Sequence, residues 1–487
     1  MRHAPAVLGF AVALGLLGDH LVRARLWGFN VTLGLIAVAG TAAALRRGRQ
    51  PEIAENRSVW PWLAAAFFAA MWAVRDAPLL LGADLLAALA LSALPLVPRA
   101  TLGAAGAIET IMAPARAAWH AVLGVFRLAP EMRPLVQKAI ATTRVASVGV
   151  GLLLALPAVL VFGSLFASAD PIFGAAVSSL IRVDLGPLAS HVFVAGALTW
   201  AIAGYLWALA SPPRVHLIPS PRPGLSYLAV LTTLGAIALV FTAFVATQAG
   251  NLFGGEAFIR EQTGLTYAEY ARRGFFQMIV ASALSLPLVY AAPFAIGEPR
   301  NGREAISLKS LMALQLALTA LVLVSALSRM GMYVRAYGLT EDRLYGTAVM
   351  LWVGATIGVF ARTVMRSHSA GAAFGSVVAA AVLLAALNLA NPQALIARYN
   401  LAHPGRRGAD VAHLARLGGD AVPLLVSQLH DVAPERRCTL AKELVRRHAA
   451  TRRDWRGLSL ARTRARRAVG EIASFASTCQ ETPAASN

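Results

Sequence analysis

Charged residues are scarce in this sequence, and lysine is almost missing from it. Only 14% of the 487 residues are charged, and lysine accounts for three of the 44 basic residues. Soluble domains carry about 25% charged residues, so the composition excludes an ordinary soluble domain. Hydrophobic residues make up 57% of the chain. They are grouped in runs of about 20 residues, the length that crosses a bilayer as a helix. The composition therefore predicts an all-α, polytopic helical membrane protein.

Cysteine is nearly absent, and no short catalytic or nucleotide-binding motif occurs. The two cysteines, Cys438 and Cys479, do not form a metal-binding C-x-x-C motif. The ten histidines show no metal-ligand spacing, and the chain contains no phosphate-binding glycine loop, no H-E-x-x-H and no G-x-S-x-G. The sequence therefore predicts no cofactor, no metal and no catalytic residue, and it favours a protein that is not an enzyme.

Acidic residues are outnumbered, 24 against 44 basic residues, which gives a formal net charge of +20. A nucleic-acid-binding protein would need a basic fold with interleaved aromatic residues, whereas these arginines lie between apolar runs. Arginine in such positions is typical of cytoplasmic loops and of contact with anionic lipid head groups. We therefore expect the lipid bilayer and anionic lipid head groups as partners, and no nucleic acid. The heavy use of arginine and alanine points to a bacterial source.

The apolar runs predict about eleven transmembrane helices. They cover residues 5–22, 26–45, 59–74, 77–97, 145–167, 188–210, 225–248, 272–294, 309–331, 343–365 and 370–390.

The chain divides into five regions on this basis. They are an N-terminal four-helix membrane region at 1–97, a basic cytoplasmic or interfacial segment at 98–144, a seven-helix membrane region at 145–390, a basic helical C-terminal region at 391–475 and a disordered tail at 476–487. We interpret 102–126 as an interfacial amphipathic helix, and its sequence leaves open whether it spans the membrane. The C-terminal region contains helical segments near 409–417, 420–430, 434–449 and 458–475 and offers a basic surface to a protein partner.

The basic loops predict how the chain is oriented in a bacterial inner membrane. They lie at 46–58, 98–144, 211–224, 295–308 and 362–369, and the positive-inside rule makes them and the N-terminus cytoplasmic. Eleven spans then place the C-terminal region outside, where a disulfide between Cys438 and Cys479 can form. One span more or fewer would reverse this side.

Residues 250–277 form a polar segment between two apolar runs. Thr266 and Glu269 have the spacing of a capping box, and a helix start explains both of them. It does not explain the other charges, which are Glu256, Arg260, Glu261, Arg272 and Arg273. We predict that Glu256, Arg260 and the Arg272–Arg273 pair form ion pairs at the outer helix ends, and that all five charges contribute to an outward-facing binding site.

A second polar segment, residues 329–345, repeats the Gly-Leu-Thr turn. Arg329, Tyr333 and Tyr337 are four residues apart and therefore share one helix face. That cationic and aromatic face suits an anionic ligand or a lipid head group, and interfacial anchoring is the alternative. Gly338 suits the position that follows a helix C-terminus.

Asp84 lies within a predicted span. A carboxylate at such a position is a functional candidate, with Arg75, Arg116 or a water-filled cavity as its counterpart. The alternative is that its side chain reaches the outer membrane surface.

Several motifs resemble a known family. They are FGGEAFIREQTGLTYAEYARRGFF, SRMGMYVRAYGLTEDRLY, NPQALIARYNL at 391–401, GGDAVPLL at 418–425 and SLFASADPIF at 164–173. With these motifs, residues 145–460 resemble a family of bacterial multi-pass membrane proteins known only as a domain of unknown function. The resemblance implies a membrane location and a multi-pass topology, and it carries no activity over to this chain.

Three functions fit this sequence, and it leaves the choice among them open. The first is a transporter or permease-like protein with an outward-facing polar site. The second is a non-catalytic membrane scaffold or sensor whose basic C-terminal region binds lipid or a partner. The third is a membrane enzyme acting on a lipid-linked substrate, with Glu256, Glu261 or Glu269 as acid or base.

Overall fold

The architecture is taken from a computed structural model of the chain. It describes residues 4–47, 60–96, 112–142, 170, 185–210, 225–253, 275–296, 302–365, 371–404, 410–449 and 454–479. All regular secondary structure within these ranges is helical, which confirms the predicted all-α class.

Eleven of the described helices precede the C-terminal region. They are α1 (Ala4–Val22), α2 (Phe29–Arg47), α3 (Trp60–Val74), α4 (Pro78–Ala93), α5 (Ala113–Thr142), α6 (Leu185–Ala210), α7 (Tyr227–Phe253), α8 (Phe275–Ile296), α9 (Gly302–Tyr337), α10 (Glu341–Met365) and α11 (Ala372–Ala390).

Seven helices in the described part of the chain are long and apolar enough to cross a membrane. These are α1, α4, α6, α7, α9, α10 and α11, and α2, α3 and α8 contain shorter apolar helices. Together they account for ten of the eleven predicted spans and establish a polytopic membrane protein. The remaining predicted span, 145–167, lies outside the described residues.

Two groups of helices form the membrane part. In the first, α1, α2, α5 and α6 share a core that includes Val7, Leu128 and Leu206. Helices α3 and α4 pack beside this group and against α11, around Phe68 and Leu91. In the second group, α7 to α10 pack around a separate core. Helix α6 therefore belongs with the N-terminal helices in space, although a long segment of sequence separates them.

The C-terminal region folds as a small helical domain, which we call the C-terminal domain. Its helices are α12 (Pro392–Ala402), α13 (Val411–Arg416), α14 (Val422–Ser427), α15 (Pro434–His448), α16 (Leu460–Glu471) and α17 (Ala473–Thr478). Ile396, Leu414 and Leu440 are fully buried in its core. A disulfide between Cys438 and Cys479, with Cα atoms 5.8 Å apart, joins α15 to the end of α17.

Local sequence sets where the helices of this domain begin. Proline, which suits the first helical turn because its missing N–H has no partner to lose there, opens α12, α14 and α15. Asp410 caps α13 by accepting from His413 N–H at 3.0 Å, and Ser459 caps α16 by accepting from Arg462 N–H at 3.5 Å. The observed helices match the four predicted segments of the C-terminal region closely.

Three predicted boundaries need correction. The predicted helix 102–126 is observed as α5, from Ala113 to Thr142, and residues 102–111 lie outside the described part. The predicted span 309–331 extends at both ends, to Gly302–Tyr337, because helix-forming polar turns continue it beyond the apolar run. The predicted disordered tail, 476–487, overlaps described structure, since α17 continues to Thr478 and Cys479 is held by the disulfide. Residues 480–487 lie outside the described part.

Candidate functional site

Five predicted site residues cannot be placed. Glu256, Arg260, Glu261, Arg272 and Arg273 lie outside the described residues, so their proposed ion pairs stay a prediction.

Tyr333 and Tyr337 lie on one face of α9, as predicted, and their rings meet edge to face with centroids 5.1 Å apart. The cation that stacks on them is Arg343, whose guanidinium lies 4.1 Å from the centre of the Tyr333 ring. Arg343 also donates to the carbonyls of Tyr337, at 2.9 Å, and Gly338. It therefore closes the C-terminal end of α9. Arg329 is 7% exposed and buried among the membrane helices.

Asp84 is fully buried in α4 and does not reach the membrane surface. Its hydrogen-bond partner is Asn388 of α11, which was not predicted: the Asn388 amide donates to Asp84 Oδ1 at 2.7 Å and to the carbonyl of Leu384 at 3.0 Å. Arg75 acts on Asp84 only through its charge. The pair joins α4 to α11 inside the membrane part.

Among the described residues, a polar cluster lies where the C-terminal domain meets the ends of the membrane helices. We call the cluster of Arg75, Asp76, Asp420 and Arg462 the junction. Arg75 donates to Asp420 Oδ1 at 3.1 Å and to the carbonyl of Asn388. Arg462 donates to Asp76 Oδ1 at 2.8 Å. The four side chains are between 4% and 24% exposed, so the two ion pairs are largely shielded from water.

Backbone hydrogen bonds interlock the two sides of the junction. The Asp76 N–H donates to Asp420 Oδ2 at 2.5 Å, and in return the Gly419 N–H donates to Asp76 Oδ2 at 3.2 Å. The Ser459 hydroxyl donates to the carbonyl of Arg75 at 3.1 Å. Each aspartate thus accepts both a guanidinium and a backbone N–H from the opposite side, which fixes its position.

Close backbone approach explains the glycine pair of the GGDAVPLL motif. A Cβ on Gly418 would lie 2.1 Å from the Asp76 carbonyl oxygen, and one on Gly419 would lie 2.9 Å from Asp76 Oδ2. Both distances are too short for real atoms. The motif therefore brings the domain against the turn between α3 and α4.

Two further family motifs, SRMGMYVRAYGLTEDRLY and NPQALIARYNL, lie within the described residues. They contact each other beside the junction. In one contact, Asn400 pairs with the backbone of Leu339 in both directions, accepting its N–H at 2.8 Å and donating to its carbonyl at 2.7 Å. In another, Gln393 donates to Glu341 and accepts the Gly418 N–H at 3.2 Å. Gly338 has φ +78°, which confirms its predicted left-handed position after α9.

A third contact joins the domain to the turn between α1 and α2. The Phe29 N–H donates to the Leu458 carbonyl at 2.9 Å, and Arg456 donates to the carbonyl of His20 at 2.7 Å. Arg462 also reaches the carbonyl of Trp27 at 2.5 Å, in addition to Asp76. The domain thus contacts three helix connections and the end of α11.

Burial dominates the electrostatics of the junction. It raises the pKa of Asp420 above its usual value, and the hydrogen bonds from Asp76 N–H and Arg75 partly offset this rise. Burial also lowers the pKa of His448, at the end of α15. Two arginines balance two aspartates, so the junction carries no excess charge. Such an arrangement joins parts of a protein, and it presents no nucleophile beside a base.

A polar cavity of about 370 Å³ opens next to the junction. Its polar lining includes Arg75, Asn391, Asp420, Ser427 and Arg464. Asn391 and Asp420 already make protein hydrogen bonds, which leaves Arg464 as the exposed charge at its edge. No group of three potential metal-binding His, Cys, Asp or Glu side chains occurs within the described ranges.

Sequence reasoning missed Asp76, Asp420 and Arg462. Asp76 was recognised only as part of a tight turn, and Asp420 only as part of a motif. The Gly-Gly-Asp sequence was the one available indication, since paired glycines before a charged residue suit close backbone approach.

The sequence model of a domain of unknown function (DUF4153) matches residues 62–428, a span that holds Arg75, Asp76, Asp84, Asn388 and Asp420. No curated protein and no solved structure matches the chain.

Proposed function

The chain belongs to the family of the domain of unknown function DUF4153, and we propose that it is a non-catalytic scaffold of the bacterial inner membrane. In this proposal the membrane helices hold the C-terminal domain in a fixed position on the outer face. The domain presents its basic surface to a partner.

The observation that carries this proposal is the junction. A tethered domain needs only a linker, whereas this one is joined through two shielded ion pairs and reciprocal backbone hydrogen bonds. Removing one partner of a buried ion pair leaves the other charge uncompensated, which lowers the stability of the protein by about 3–5 kcal/mol. The domain is therefore held rigidly, as a scaffold or a sensor requires.

The contacts of the domain also support the proposed orientation. It touches the α1–α2, α3–α4 and α9–α10 connections and the end of α11. These are connections that the positive-inside rule assigns to the outer face. An oxidising compartment on that face suits the Cys438–Cys479 disulfide.

The proposed partner is a protein with an acidic surface. Exposed arginines on α15 and α16 would bind it, namely Arg446, Arg447, Arg464 and Arg467. Glu443 pairs with Arg446 and Arg447, and hydrogen bonds from these two arginines lower its pKa to about 2. That carboxylate stays ionised and offsets one of the two arginine charges, so this part of the surface keeps a net positive charge.

A transporter or permease-like protein is the alternative. It requires a polar cavity between the spans that includes Asp84 or Arg329. Neither the polar cavity beside the junction nor the apolar groove between α1, α2, α4, α5 and α6 is lined by either residue. The enzyme hypothesis depends on Glu256, Glu261 and Glu269, which lie outside the described residues.

Growth of a strain that lacks the gene tests the scaffold against the transporter. Asp76→Ala and Arg462→Ala break the junction, so the scaffold hypothesis expects both variants to fail to restore the phenotype of the deletion. It expects Glu256→Gln and Arg260→Gln to restore it. The transporter hypothesis expects the opposite pattern.

Two controls separate a lost junction from a lost protein. Glu471→Gln changes an exposed carboxylate of the same domain, away from the junction, and we expect it to complement fully. Trypsin cleavage in isolated membranes reports docking, because a released domain exposes Arg462, which the junction shields. If Asp76→Ala were cleaved faster and still complemented, rigid docking would not be required for function.

A further inference from the structure

An apolar groove of about 870 Å³ runs between α1, α2, α4, α5 and α6. Its volume lies within the range of about 300–1,000 Å³ that is usual for ligand sites. Three of its polar side chains already donate to backbone carbonyls: Asn30 to Leu21, Ser92 to Ala88 and Tyr205 to Ser92. Apart from the indole groups of Trp27 and Trp62, the groove therefore offers an apolar surface.

The groove opens beside a rim of exposed aromatic and apolar side chains. Leu26, Trp27 and Phe29 are 43%, 45% and 38% exposed, and Trp455 of the C-terminal domain is 47% exposed. The Trp455 ring lies against that of Phe29, with centroids 6.4 Å apart. Exposed tryptophan at the end of a membrane helix is typical of the lipid head-group region.

An unpaired cation lies in the same turn. Arg25 is exposed and forms no hydrogen bond or ion pair with the described residues. Its neighbour Arg23 is engaged with Asp19 and Ser190, and Arg456 with Asp454 and His20. Arg25 is therefore the guanidinium of this rim that can bind a lipid phosphate.

We propose that the groove is a binding site for an anionic phospholipid. One acyl chain lies in the groove, the glycerol lies at the rim of Trp27 and Phe29, and the phosphate pairs with Arg25. The site is independent of the scaffold proposal, because lipid binding in the groove does not require the domain to bind a partner.

The rim favours a phospholipid over a helix of another protein. Exposed tryptophan and an exposed guanidinium at the mouth of an apolar groove match a lipid head group above its acyl chain. An acyl chain is narrow enough to enter the groove along its length.

Helix α2 supplies a matched pair of variants. Gly34 lines the groove, and a Cβ there would meet Leu21 Cδ1 at 3.6 Å, an ordinary contact, so Gly34→Phe extends into the groove. Gly40 is exposed on the same helix and is not part of the lining, and a Cβ there would meet nothing within 4 Å. Gly40→Phe therefore adds the same bulk outside the site.

The experiment uses the full chain, purified in mild detergent after exchange into palmitoyl-oleoyl phosphatidylglycerol or phosphatidylcholine. Native mass spectrometry then counts the lipids that each variant retains. We expect the wild type and Gly40→Phe to retain one phosphatidylglycerol. In Gly34→Phe, the fraction of protein that carries this lipid should be at least tenfold lower. Arg25→Gln should keep the bound lipid but lose the preference for phosphatidylglycerol over phosphatidylcholine.

Equal retention by Gly34→Phe and wild type would overturn the proposal. So would a wild-type dimer that Gly34→Phe converts to monomer, because a second copy would then fill the groove. Ala90→Leu, which fills the groove from α4, provides a second test if Gly34→Phe does not fold. Retention by Ala90→Leu would overturn the proposal in the same way.

Discussion

Gly418 lies where no side chain fits, because a Cβ would come within 2.1 Å of the Asp76 carbonyl oxygen. A backbone oxygen cannot move aside as the end of a flexible side chain can. Gly418→Ala should therefore separate the domain from the α3–α4 turn. It should lower the free energy of unfolding by at least about 1–3 kcal/mol. Thermal unfolding of the full chain in detergent, followed by tryptophan fluorescence, measures the loss.

Gly470 provides the control for this prediction. It lies in α16 of the same domain, and a Cβ there meets nothing within 4 Å. Gly470→Ala should raise stability by about 0.5–1 kcal/mol, because alanine loses less backbone entropy in a helix. Equal stability of Gly418→Ala and wild type would contradict the close approach.

His448 makes the C-terminal domain sensitive to acid. Burial lowers its pKa below the usual value of 6.5, so near that pH the unfolded chain binds a proton that the folded chain does not. Stability contributed by the neutral ring is then present above pH 6.5 and is lost as the pH falls towards the lowered pKa. His448→Leu should remove this part of the pH dependence.

Unfolding temperatures at about pH 5 and about pH 7.5 measure the effect, since these two values lie below and above the usual histidine pKa of about 6.5. The drop on acidification should be smaller in His448→Leu than in wild type. The matched control is His430→Leu, at a side chain that is 75% exposed, and it should leave the drop unchanged. An equal drop in all three proteins would rule out a role for His448.

Between elements, the buried Asp84–Asn388 pair fixes α4 against α11. Asn388→Leu leaves the Asp84 carboxyl buried without its donor, at a cost of at least about 1–3 kcal/mol. Replacing both residues by leucine removes both polar groups. The double variant should therefore lose less stability than the sum of the single variants.

A double-mutant cycle on unfolding free energies measures this coupling. The coupling should amount to about 0.5–3 kcal/mol, as for residues in direct contact. Strictly additive effects would show that the contact contributes nothing to the packing of the two helices.

For the whole molecule, the main prediction concerns the side of the membrane on which the C-terminal domain lies. Ala433→Cys introduces a thiol at an exposed site of the C-terminal domain, and Gly302→Cys one at the start of α9, beside a loop predicted to be cytoplasmic. The two native cysteines are bonded to each other and do not react with maleimides. In intact spheroplasts, an impermeant maleimide should label Ala433→Cys and should label Gly302→Cys only after lysis.

The native disulfide gives a second measure of the same orientation. An external domain should carry the Cys438–Cys479 bond when it is isolated from cells under thiol-blocking conditions. A reduced pair together with labelling of Gly302→Cys in intact spheroplasts would reverse the proposed topology.

The sequence alone determined the properties that depend on neighbouring residues. Runs of apolar residues located ten described helices, seven of which are long and apolar enough to cross a membrane, because the length of a span is a local quantity. Gly338 was assigned to its left-handed position from the adjoining helix patterns, and four helical segments of the C-terminal domain, at 409–417, 420–430, 434–449 and 458–475, were located from apolar residues at three- and four-residue steps.

Only the tertiary structure decided which distant polar side chains meet. Asp76 and Arg462 are 386 residues apart, and Asp84 and Asn388 are 304 apart, so no local pattern links either pair. In the sequence, Arg75 and Asp76 look like any polar turn between two spans. They become a buried junction because helix packing brings the ends of α3, α10 and α11 to one place, where the C-terminal domain covers them and removes the water that would otherwise solvate their charges.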